Sequence, residues 1–106
     1  MYKSTIIEAI QNQKILKIHW QKETTKEYSE CLIAPYDVYP KSKKNIYGER
    51  DILLGLEYET SGLQDHTASI YLDSIQSVVA TGENFNGNEV RRIINPKNPP
   101  MVLRNW

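Results

Sequence analysis

The side chains best suited to covalent or acid–base chemistry in this chain are one thiol, Cys31, and two imidazoles, His19 and His66. A thiolate nucleophile needs a positive local environment and a base held beside it. Cys31 instead sits in an alternating stretch, Tyr28 to Ala34, with Glu30 as its neighbour. It reads as a small buried hydrophobe. His19, next to Trp20, reads as a strand residue with a satisfied ring. One cysteine and two distant histidines make no zinc spacing. Asp37, Asp51, Asp65 and Asp73 are too scattered for a calcium loop. Gly48, Gly55, Gly62, Gly82 and Gly87 stand apart, as turn and bulge glycines do, and form no phosphate-cradling loop. These residues point to no catalytic group, no metal and no cofactor.

A different chemistry is suggested by Lys41, Lys43 and Lys44, which lie close to Tyr39 and Tyr47. Cations pair with phosphates and aromatic faces stack on bases, so this mixture suits single-stranded nucleic acid or a nucleotide. Arg50, at the mouth of a strongly apolar stretch, could add to the patch, and Tyr71 could add a stacking face. The plainer reading is a solvated loop kept soluble by lysines. The chain carries 13 basic and 13 acidic residues, a formal net charge of zero. That balance argues against a coat of positive charge for bulk nucleic-acid binding and leaves room only for a local patch. A second feature is the segment from Arg91-Arg92 to Trp106, with Pro99-Pro100 inside it. A tryptophan ring buries a large area, so this segment is expected to dock on the domain or on a partner chain.

The elements that must position these groups follow from periodicity. With 106 residues the chain fits one domain with one core. Thr5-Ile6-Ile7-Glu8 reads as a capping box opening a short helix, with Ile6, Ile7 and Ile10 on one side. Strands are expected at Ile15 to Trp20, Tyr28 to Ala34, Asp51 to Tyr58, Ala68 to Leu72 and Ile75 to Ala80. Pro35 and Pro40 bracket a stretch expected to be extended but irregular. Leu72 to Ile75 reads as a tight corner, Thr81 to Asn88 as loop, and Glu89 to Ile94 as a short strand or helical turn. A helix followed by about five short strands predicts a mostly β fold. It is expected to be a small, strongly bent five-stranded β-barrel with an N-terminal helix. The alternative is an open α+β sheet with one helix. The expected division is a barrel domain over 1–88 and an extension over 89–106.

A single cysteine suits a reducing compartment. The first ten residues lack the apolar core of a signal peptide. No segment approaches the roughly 20 apolar residues that span a bilayer. A cytoplasmic protein without a membrane partner is expected.

Several of these pieces, in order, resemble the WYL-domain family. A helix ending in Ala9-Ile10 precedes the strand Leu16-Lys17-Ile18-His19-Trp20. Ile33-Ala34-Pro35-Tyr36 is similar to the family's proline-then-aromatic corner. Ile52-Leu53-Leu54-Gly55-Leu56 follows, and Ile70-Tyr71-Leu72-Asp73-Ser74-Ile75 is similar to its Phe-Arg-Leu-Asp-Arg-Ile corner. Phe85 stands where a closing aromatic is often found. The resemblance covers about residues 5 to 86. It implies an Sm-like small barrel and a role in bacterial transcription regulation, with negatively charged ligands bound by arginines and aromatics. Asp51-Ile52-Leu53 stands where the naming Trp-Tyr-Leu triplet would be, and Tyr71 and Ser74 stand where basic residues would be. The chain would be a stand-alone, divergent relative.

The expected function is a non-enzymatic regulatory or ligand-sensing module. It would bind single-stranded nucleic acid or a nucleotide through Lys41, Lys43, Lys44 and Arg50, with Tyr39, Tyr47 and Tyr71 as stacking faces. The alternative is a protein-interaction or dimerisation module with no nucleic-acid ligand.

Overall fold

A computed structural model describes residues 2–42, 49–58 and 65–106, the side chains of residues 41, 42 and 49 excepted. Helix α1 (Lys3–Gln11) leads into strands β1 (Lys14–Gln21), β2 (Tyr28–Ser42), β3 (Glu49–Tyr58) and β4 (His66–Tyr71). A 3-10 turn at Leu72–Ser74 connects to β5 (Ile75–Asn84), and α2 (Gly87–Ile94) follows. The five strands form one antiparallel sheet in the order β4-β3-β2-β1-β5.

Alternation decides which side of the sheet each residue faces. Leu16 and Ile18 of β1 pair with Ile33 and Cys31 of β2. Val38 pairs with Leu53 of β3, and Leu53 with Ile70 of β4. All of these are buried and form one core with Ile6, Ala9 and Ile10 of α1. The other face carries a second, smaller core of Ala34, Tyr36, Leu56, Phe85 and Val90. Here α2 contributes Val90, and Trp106 packs against both cores. Gly55 is set by this close packing: a Cβ there would come 2.7 Å from the Ala34 carbonyl oxygen and 2.8 Å from the Ile33 side chain.

The structure is mostly β, and the open-sheet alternative fits it. Among the described residues β4 pairs only with β3 and β5 only with β1, so no pairing closes the sheet. Two helices flank it rather than one. The expected loop Thr81 to Asn88 divides differently. β5 continues to Asn84, and Gly87 opens α2. The Asn86 side chain accepts a hydrogen bond from the Glu89 amide at 3.2 Å, which caps that helix.

One further expectation is corrected and another is sharpened. The capping box is absent, because α1 starts at Lys3, which puts Thr5 and Glu8 inside the helix. The Tyr2 hydroxyl donates to the Gln76 carbonyl (2.5 Å) and anchors the chain ahead of Thr5. The stretch between Pro35 and Pro40 is extended and its irregularity is confined to one point, since β2 runs through both prolines, paired to β3 from Leu32 to Ser42. A register shift between Pro35 and Asp37 inserts Tyr36 as an extra residue, and such a bulge relieves the ladder where proline cannot donate.

Leu53 is fully buried at the centre of the sheet. Leu53→Ala should lower the unfolding free energy by about 2–5 kcal/mol, read from urea denaturation followed by circular dichroism.

Candidate functional site

The residues singled out by charge and aromaticity separate into two groups. Arg50 and Tyr71 come together: the Arg50 guanidinium lies 3.7 Å from the Tyr71 ring centroid. That guanidinium is also engaged by acids. It donates to both carboxylate oxygens of Asp73, at 2.8 and 2.5 Å, and pairs with Glu23. The hydrogen bonds it donates to Asp73 and then to Glu23 hold its pKa above the ordinary arginine value. Two carboxylates match this charge, so Arg50 offers little to an incoming phosphate. Tyr39 is half-buried on β2. Register sets Tyr39, Ile52 and Tyr71 opposite one another across β2, β3 and β4, on one side of the sheet. The Lys41 backbone pairs with Arg50. The Lys41 side chain, and Lys43, Lys44 and Tyr47 altogether, lie outside the described residues.

The best-built polar cluster is one that spacing did not flag. Asp37 follows the β2 bulge and is only 6% exposed. Its carboxylate accepts from the Met101 amide at 2.9 and 3.1 Å and from the Val102 amide at 2.9 Å. Arg104 reaches the same carboxylate at 3.5 Å, with its side chain only 2% exposed. Burial, opposed by the Asp37 charge, pulls the Arg104 pKa below its ordinary value. The guanidinium carbon stands 4.5 Å from the ring centroids of both Tyr36 and Trp106. Trp106 packs edge-on against Tyr36 and Phe85, centroids 5.7 and 5.5 Å away. Its indole N–H donates to the Ile10 carbonyl at 2.8 Å, and Arg91 donates to its backbone oxygen. Gly87 belongs to the same arrangement, since a Cβ there would overlap the Trp106 ring. The segment 95–106 is thus clasped to β2, α1 and α2.

The clasp shapes a groove of about 380 Å³ between the sheet and the segment 96–101. Tyr39 and Leu54 form the sheet side, and Pro96, Pro99 and Met101 the opposite side. Lys97 and Asn98 supply polar groups at its rim. Of the aromatics proposed from sequence, Tyr39 faces this groove. Asp37 was missed because its tail partners lie more than sixty residues away in the chain. The one local signal was an aspartate set among apolar strand positions between two prolines.

A third arrangement crosses β5, β1 and β2. The Ser77 hydroxyl is 3.0 Å from His19 Nδ1, while His19 Nε2 meets Glu30 and Lys17 Nζ is 3.1 Å from Glu30. The hydrogen bond from Lys17 holds the Glu30 carboxyl below its ordinary pKa. The residue types echo a hydrolytic triad, but the chain of contacts lies on an exposed sheet face, with Glu30 at the edge of a neighbouring groove that His19 and Ser77 do not line. It reads as a cross-strand ionic ladder. Cys31 is buried. Among the described residues no three His, Cys, Asp or Glu side chains gather as a metal site, and no helix is long and apolar enough to cross a membrane.

Comparison with protein-family models, with curated proteins and with solved structures gave no match.

Removing one member of a buried pair leaves the other uncompensated. Asp37→Ala should therefore cost about 3–5 kcal/mol of unfolding free energy in urea titration, and Asp37→Asn less, since the amide keeps one acceptor oxygen for the tail.

Proposed function

We propose that this chain is a non-enzymatic ligand-sensing module of the WYL-like, Sm-like kind, acting in the cytoplasm as a regulatory domain. The observation that carries the reading is the aromatic groove at Tyr39, on the strand that runs directly into Lys41. The element order supports it. A leading helix, five antiparallel strands with β5 returning beside β1, and a 3-10 corner after β4 are the parts of a strongly bent small barrel. The preferred ligand is a nucleotide or a single strand. Tyr39 and Tyr71 give stacking faces on one side of the sheet, and Lys41, Lys43 and Lys44 give the cations. Arg50 has a positioning role instead, holding Tyr71 against Asp73 and Glu23.

The second reading, a protein-interaction or dimerisation module, also has an observation in its favour. Among the described residues β5 pairs only with β1; it carries no charged residue from Ile75 to Gly82 and exposes 55% of Val79. Uncharged open edges accept partner strands.

Titration of the chain with a fluorescein-labelled oligothymidylate at low and high salt separates the two. The ligand-sensing reading expects saturable binding that weakens with salt and falls roughly tenfold or more in a Lys41→Ala, Lys43→Ala, Lys44→Ala triple variant. Salt-insensitive absence of binding, together with self-association in sedimentation, would favour the second reading.

A further inference from the structure

We infer that the groove between Tyr39 and the tail binds a small planar aromatic anion, with Tyr39 stacking on its ring and Lys97 pairing with its charge. This rests on the ligand-sensing reading and names the site and the chemical class for it.

The groove's size comes first. About 380 Å³ falls within the range of small-molecule sites, roughly 300–1,000 Å³, and is too little for a folded partner. Its walls come next. Pro96 and Pro99 have fixed φ angles, and the segment they belong to is tied down at Met101 and Val102 by Asp37. The cavity is therefore held open before any ligand arrives, which lowers the entropic cost of binding. Proline rings and an aromatic face opposite each other favour a flat, apolar body between them. Met101 is exposed and adaptable, so it can settle against rings of differing outline.

Charge sets the remaining preference. The groove contains one carboxylate, Asp37, and both its oxygens are already turned to the tail amides and Arg104. Lys97 is exposed at the rim, and no described acid pairs with it. A ligand with one negative group beyond its ring meets Lys97 and the Asn98 amide there. An exposed lysine contributes only modestly in water. The anion should thus gain about two- to fivefold over the neutral ring, and that gain should fade with salt.

The aromatic anion could be a nucleoside phosphate or an aromatic carboxylate. Four probes separate them in NMR titrations of the full chain: adenosine 5′-monophosphate, adenosine, indole-3-carboxylate and indole. The inference expects at least one anion to bind more tightly than its neutral partner and to shift the amides of Lys97 and Met101. Binding by the phosphate alone identifies the nucleotide source, and binding by the carboxylate alone the other. Tyr39→Phe should retain binding and Tyr39→Leu should lose roughly tenfold, since it keeps bulk in the strand but removes the stacking face. Lys97→Gln should bring anion and neutral ring to equal affinity. Equal binding of neutral and charged probes in the unaltered chain overturns the inference, as does the absence of saturation at millimolar probe. Anion binding that Tyr39→Leu and Lys97→Gln leave unchanged also overturns it. That last outcome would leave the ligand-sensing reading standing, because the oligonucleotide titration tests it through Lys41, Lys43 and Lys44 instead.

Discussion

A buried carboxylate beside a strand bulge organises one whole side of this protein. An ionised aspartate out of water is costly unless donors surround it. The Asp37 side chain finds them in two consecutive amides of the tail, Met101 and Val102, and in Arg104. Satisfying that one group fixes the path of the segment 95–106. It places Arg104 against Tyr36 and brings Trp106 over Tyr36 and Phe85. The second core exists largely because this tail returns to cover it. The candidate groove is a consequence, being the space left between this proline-stiffened segment, bent at Lys97-Asn98 and at Met101-Val102, and the paired strands β2 and β3.

The same constraint explains which parts of the molecule were legible in its sequence. The strands of the sheet announce themselves by local alternation. Leu16 and Ile18 in β1, and Ile52, Leu54 and Leu56 in β3, needed no distant information. The breaks were harder. Pro35 and Pro40 argue against a continuous strand, yet β2 accommodates the first with an extra residue at Tyr36 and runs on to Ser42. The helix start was misread for a similar reason. Thr5 and Glu8 have capping chemistry, but Tyr2 is tied to Gln76, seventy-four residues away, and that tie begins the helix earlier. The cap of α2, by contrast, was present as Asn86 followed three residues later by Glu89. Closure of the sheet depends on how far the strands bend, which alternation does not encode.

Charge tells the same story at the candidate site. Counting lysines and arginines near tyrosines located Tyr39, Tyr71 and Arg50 on one region of the sheet. It could not show that Asp73 and Glu23 already occupy the Arg50 guanidinium. Similar pairing recurs elsewhere: Lys3 with Asp51, Lys17 with Glu30, and Arg104 with Asp37. These pairs engage Lys3, Lys17, Arg50 and Arg104, which are then less open to a polyanion. Lys97 is not among them, and the count of basic-loop residues passed it over.

The account stands on the tail being held by Asp37 in solution. Amide hydrogen exchange of the unaltered protein, followed by NMR near neutral pH, tests this directly. Met101 and Val102 should exchange far more slowly than Asn98 and Asn105, with protection approaching that of the β2 amides. Exchange of Met101 and Val102 at the rate of free peptide, while the sheet stays protected, would contradict the clasp and with it the groove.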